Sequence, residues 1–116
     1  IHVAGAKVLV LGLTFKENCP DLRNTRVTDI VDEFRACHAD IDVYDPWVDR
    51  AEAKQAYNID LASDLHSGAY DAIVLAVAHH QFTEMGVSAL RALGKPGCVL
   101  FDVKNVLPRG SADDRL

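Results

Sequence analysis

The residues best equipped for chemistry lie between Gly12 and Thr25, in the run Gly-Leu-Thr-Phe-Lys-Glu-Asn-Cys-Pro-Asp-Leu-Arg-Asn-Thr. It holds an aromatic ring beside a cation (Phe15, Lys16), an acid two residues before an arginine (Asp21, Arg23), a thiol (Cys19) and a hydroxyl (Thr25). A ring next to an ammonium suits a nucleotide, with the ring against base or ribose and the charge near a phosphate or sugar. The same pair also serves a fold as a core cap and a solvated lysine. Asp21 and Arg23 read first as an ion pair pinning the loop. Two phosphate signatures are excluded: only Gly12 of a Gly-x-Gly-x-x-Gly fingerprint is present, and Lys16 lacks the glycine spacing and the following Ser or Thr of a P-loop. A phosphate bound here would meet Lys16 as a point charge.

Other reactive side chains are scattered. Cys19 is a nucleophile candidate without an assignable partner histidine. His79 and His80 follow an apolar run, where a general base, a ligand or a structural hydrogen bonder fits. Asp45 stands where nicotinamide folds keep their ribose-binding acid, and equally where a turn or cap needs an acid. Lys104 is either a second anion contact or a solvated loop residue. No third metal ligand accompanies the histidines, so no metal is expected, and no nucleophile–base–orienter set is visible.

The elements that must position these residues alternate. Strands are expected over Lys7–Leu11, 40–44 (Asp-Ile-Asp-Val-Tyr), 71–78 and 98–101; the first and third carry continuous apolar runs, as buried parallel strands do. Helices are expected over 25–37 (Thr25 as N-cap; Val27, Ile30, Val31, Phe34 and His38 inward), over 48–57 (opened by Pro46, closed by Asn58) and over 81–93, with a helical turn at 63–69 and a turn at 94–97. The alternation implies an α/β, doubly wound, Rossmann-like parallel sheet in a single three-layer domain. Strands one and three should lie side by side, with the ligand crevice outside their carboxyl ends. The Gly12–Thr25 loop, His79 and Lys104 would converge there.

At 116 residues the chain is one domain, long enough to bury a core without staples. A net charge of −5 argues against nucleic acid as the main partner. No apolar run nears the length of a membrane span, and no signal peptide is visible. Cys19, Cys37 and Cys98 are odd in number and far apart, which fits a reducing cytoplasm. The opening Ile-His-Val-Ala-Gly-Ala, without an initiator methionine, reads as the end of a linker (1–6) before a domain over 7–108 and a fraying tail, 109–116.

The motifs Gly12-Leu13-Thr14-Phe15-Lys16, Asp21-x-Arg23-x-Thr25, Val43-Tyr44-Asp45-Pro46, Ala76-Val77-Ala78-His79-x-x-Phe82 and Phe101-Asp102-x-Lys104 follow one another along nearly the whole chain. In this they resemble the C-terminal domain of the UDP-glucose/GDP-mannose dehydrogenase family, and most the bacterial members acting on UDP-N-acetyl-hexosamines for surface polysaccharides. The usual serine after Asp-x-Arg is Thr25 here. The resemblance implies an NAD-dependent oxidation of C6 of a nucleotide sugar. NAD and the catalytic cysteine would be held by an N-terminal domain that this chain lacks, so the chain alone is expected to be inactive. It implies that Phe15, Lys16 and Lys104 contact the UDP-sugar, that Asp21, Arg23 and Thr25 order the loop, and that His79 lines the site. It also implies a dimer or higher oligomer in the full-length cytoplasmic enzyme. The competing reading is a stand-alone nucleotide-binding regulatory module without catalysis; a purely structural dimerisation domain is a third.

Overall fold

The computed structural model describes residues 3–115. Of the expected linker end 1–6, residues 1 and 2 lie outside the described residues, as does residue 116 of the tail. The elements run β1 (Lys7–Leu11), α1 (Val27–Ala36), β2 (Asp40–Tyr44), α2 (Arg50–Tyr57), β3 (Tyr70–Leu75), α3 (His80–Ala92), β4 (Gly94–Asp102) and β5 (Asp114–Arg115).

All five strands are parallel, in the order β2-β1-β3-β4-β5. Val8 pairs with Ile41 on one side and with Ala72 on the other, so β1 is central and flanked by β2 and β3. The chain leaves β1 toward β2 and returns to β3, which opens the crevice between the carboxyl ends of β1 and β3. The alternation of side chains along β1 divides the core. Val8 and Val10 join Val27 and Val31 of α1 and Ala53 of α2 on one face. Leu9 and Leu11 join Phe82 and Leu90 of α3 on the other. Helices therefore cover both faces, as the apolar runs implied. Where the first face passes over β3 and β4 it is open, forming an apolar groove of about 410 Å3 among Val3, Ile30, Phe34, Val74, Phe101 and Val103.

Several boundaries depart from expectation, each for a local reason. α1 ends at Ala36, and His38, expected on the inward stripe, is exposed at φ 65°. Its N–H donates to Arg35 O and the Ala39 N–H to Phe34 O, a Schellman closure that takes His38 out of the helix. α2 starts at Arg50 rather than at Val48, because the Asp49 carboxylate caps it by accepting from the Ala51 N–H. Asn58 closes it in the left-handed region as expected, at φ 56°. Residues 63–69 form no helix; the N–H groups of Gly68 and Ala69 donate to Ala92 and Leu93 at the far end of α3. β3 stops at Leu75, since the N–H groups of Ala76 and Val77 both turn to Leu11 O. α3 is broken at Gly86 (φ 81°, ψ 163°). Residues 94–97 belong to β4, whose register shifts between Tyr70 and Ala72 on its partner. The tail, expected to fray, instead holds β5 against β4. The Asp113 carboxylate accepts from the Leu100 N–H (2.7 Å) and Arg91 donates to it (3.2 Å).

Candidate functional site

The loop after β1 starts at a glycine because nothing larger fits. Gly12 has φ +97°, and a Cβ there would stand 2.5 Å from Val77 Cβ and 2.9 Å from Val77 N. The next residues lie over a buried acid. Asp45 Oδ2, at the end of β2, accepts from the N–H groups of Leu13 (2.7 Å) and Thr14 (3.3 Å). Its Oδ1 accepts from the Trp47 N–H (2.8 Å), making the Asx turn that reverses the chain at Pro46.

His79, the N-cap residue of α3, completes this junction. Its Nδ1 accepts from the Asn18 N–H (2.9 Å), which puts the ring proton on Nε2, 2.9 Å from Asp45 Oδ2 and 3.2 Å from Thr14 Oγ1. Asn18 also accepts at Oδ1 from the His80 N–H (2.8 Å), so the loop supplies the cap that α3 lacks from its own side chains. Asn18 does this at φ 56°, a conformation that asparagine tolerates. The Thr14 hydroxyl donates to Lys16 O (2.9 Å). His79 is fully buried under the loop. The expectation that it lines the site is therefore corrected: hydrogen bonds to Asn18 and Asp45 occupy both ring nitrogens, and no face is left for a ligand.

The second half of the loop is closed from below as well. The Phe15 N–H donates to Asp21 O (2.9 Å), the Leu22 side chain is buried, and the Tyr57 hydroxyl donates to Leu22 O. The Thr25 hydroxyl donates to Leu13 O (2.6 Å) and accepts from the Val27 N–H (3.2 Å). The N-cap position is Arg26 rather than Thr25, yet Thr25 still satisfies a first-turn N–H of α1. Arg23 grips Asp21 through its own N–H, Nε and Nη2 (2.8, 3.0 and 3.2 Å). Those bonds, the side-chain ones first, hold the Asp21 carboxyl below the ordinary carboxylate range. The arginine is 87 % exposed, so the pair shapes the loop more than it stabilises the fold.

Above these anchors a cleft of about 180 Å3 opens at the carboxyl ends of β1 and β3. Phe15 and Lys104 line it from opposite loops, over a floor that includes Val27, Ala76, Val77 and Val103. Lys104 is carried on a loop tied down by the buried Asp102 carboxylate, which accepts from the Leu107 N–H (2.9 Å). Lys16 is exposed and does not line the cleft. A cation that sequence reasoning passed over, Arg26, does. Its position three residues beyond Arg23, at a helix start, was the available signal. The Asn18–His79–Asp45 junction was also missed, because its members lie far apart in sequence. Among the described residues no three His, Cys, Asp or Glu side chains converge on a metal site. Nor do the residues fit a dinucleotide: Gly12 is packed on Val77 instead of cradling a pyrophosphate, and both oxygens of Asp45 are taken by protein donors.

A family profile described as UDP-glucose/GDP-mannose dehydrogenase family, UDP binding domain, matches residues 9–109. The chain is 49 % identical over all its 116 residues to a UDP-N-acetyl-D-glucosamine 6-dehydrogenase of Salmonella typhi, and 52 % to one of Pseudomonas aeruginosa. It spans 27 % and 28 % of the lengths of these relatives. Among solved structures it resembles a UDP-D-ManNAc dehydrogenase of Pyrococcus horikoshii (TM-score 0.76, 24 % identity, 99 % of this chain and 26 % of that one). It also resembles an NDP-N-acetyl-D-galactosaminuronic acid dehydrogenase of Methanosarcina mazei (TM-score 0.79, 24 % identity, 92 % and 22 %). At that identity the structural likeness speaks for the fold alone. The profile match, which takes in both the Gly12–Thr25 loop and Lys104, shows that the chain belongs to the UDP-glucose/GDP-mannose dehydrogenase family and is its UDP binding domain.

Proposed function

We propose that this domain holds the nucleotide half of a UDP-N-acetyl-hexosamine in a 6-dehydrogenase that oxidises the sugar's C6 alcohol to a carboxylate. The observation that carries the reading is the charge of the cleft. In a chain of net charge −5, the charged residues among those lining it are Arg26 and Lys104, both cations, beside the half-exposed ring of Phe15. An apolar floor, an aromatic rim and two positive charges are what a uridine diphosphate requires. Phe15 packs against the nucleoside, Lys104 meets the phosphates, and Lys16, free of ion pairs among the described residues, reaches in from the rim as a point charge. Asp21, Arg23 and Thr25 keep the loop in the shape that presents Phe15. The identity to the two UDP-N-acetyl-D-glucosamine 6-dehydrogenases favours that sugar class.

In this reading NAD is bound by another part of the longer enzyme, and the present domain contributes no reacting group. Its contribution to rate is positional. Binding energy gathered on the nucleotide, remote from C6, orients the carbon that loses hydride. The whole enzyme is proposed to be cytoplasmic and oligomeric, with the present domain facing its own NAD domain across the substrate, and to supply uronic acids for bacterial surface polysaccharide.

Titrating the 15N-labelled chain with UDP, GDP and NAD tests the reading. UDP is expected to shift the amides of 12–26 and 103–105 and to lose most of its effect in Lys16→Ala. A response to NAD alone, or none to UDP, would overturn it in favour of a different ligand or a purely structural domain.

A further inference from the structure

Arg26 matches none of the motifs that identify the family, yet it is among the residues that line the cleft. It stands immediately before Val27, the first residue of α1, which lines the same cleft, so the cleft lies beside the N-terminal end of a ten-residue helix. The rest of the lining is Thr14, Phe15 and aliphatic side chains, apart from Lys104. Such a wall can receive a ring but cannot compensate a charge. The permanent charges of a nucleotide sugar are on its two phosphates. A guanidinium offers them a planar fork of donors that an ammonium lacks.

The protein keeps only a loose hold on that guanidinium. Its ion-pair partner among the described residues is Asp29, whose Oδ2 lies 3.1 Å from Nε; the two side chains are 87 % and 65 % exposed. An exposed pair three residues apart on a helix is worth less than ~1 kcal/mol. An incoming phosphate can take the Nη groups without a buried contact being broken.

Resting on the nucleotide reading above, we propose that Arg26 is the diphosphate clamp of this domain, opposite Lys104, and sets its preference for a nucleoside diphosphate over a monophosphate or nucleoside. Asp29 then acts as a competitor that holds the guanidinium while the cleft is empty.

Calorimetric titration of the chain with uridine, UMP and UDP tests this on wild type, Arg26→Ala, Arg26→Lys and Asp29→Asn. Arg26→Ala should weaken UDP roughly tenfold, the loss of about one charge-assisted hydrogen bond, and leave uridine unchanged. Arg26→Lys should fall between, and Asp29→Asn should tighten UDP. The thermal midpoint should stay put, because the side chain is solvated. UDP affinity unchanged in Arg26→Ala would overturn the clamp alone, and so would an equal loss for uridine and UDP. Wild-type chain that ignores millimolar UDP would overturn the nucleotide reading and the clamp with it.

Discussion

At the scale of single residues, the most consequential side chains are ones a ligand does not touch. His79 joins the loop to the sheet through a partly buried hydrogen bond from the Asn18 N–H and a buried one to Asp45. Truncation to alanine removes both and leaves a cavity beneath the loop. We expect His79→Ala to lose about 2–4 kcal/mol in urea unfolding and to speed amide exchange at 13–18. An unchanged midpoint would mean that the loop is held elsewhere. The sequence shows His79 and Asp45 only as polar residues at two strand ends. That they meet follows from strand order, which puts the ends of β1, β2 and β3 side by side. Hydrogen-bond partners more than thirty residues apart leave no local signature, so a site-lining histidine and a core-locking histidine look alike until the sheet is assembled. Arg26 escaped notice for the opposite reason: its surroundings are ordinary, and only the shape of the cleft singles it out.

At the scale of elements, legibility followed local signals in the chain. β1 was read with its observed bounds because a buried parallel strand is a continuous apolar run; β2, Asp-Ile-Asp-Val-Tyr and only partly buried, was read with its bounds because it ends at an Asp-Pro turn. The ends of helices were harder. The Schellman closure at His38 and the cap at Asp49 depend on backbone geometry that several residue types allow. The two-residue β5 was invisible, since its backbone pairing with β4 has no side-chain pattern. Gly12 gives the sharpest element-level prediction. Gly12→Ala adds a methyl at positive φ and 2.5 Å from Val77 Cβ, so β1 and the β3–α3 connection must separate. The expected loss is about 3 kcal/mol or more, read in the same unfolding experiment, together with weaker UDP binding as the loop tilts. A stable variant would show that the connection yields easily.

For the whole molecule, several carboxylates set how the fold answers acid. Asp71 is held below the ordinary range by the Lys7 N–H first and then by Lys95; Asp113 is held there by the Leu100 N–H first and then by Arg91. With folded pKa values below the unfolded ones, both contribute stability in full above the ordinary carboxylate range, and lose it as pH falls through their folded values. The thermal midpoint should therefore be level from neutrality down to that range and fall beneath it. Asp113→Asn should flatten part of the fall, since β5 and its Arg91 contact no longer depend on the charge. An acid limb identical to wild type would remove Asp113 from the account. The three-layer parallel architecture was legible whole; the apolar groove beyond α1 was not, because a strand pattern does not say which of its faces a helix covers.

The loop from Gly12 to Thr25 has two sides with different obligations. Its underside, through Leu13, Thr14, Asn18, Leu22 and Thr25, is bonded or packed to the fold, while Phe15, Lys16 and Glu17 stand exposed above it. Folding constrains the first set and leaves the second nearly neutral. On the proposed nucleotide reading, a lineage, or a designer, can therefore exchange residues 15–17 and sample new nucleotides without first finding mutations that restore stability. In this domain the capacity to acquire a new specificity is separated, residue by residue, from the capacity to fold.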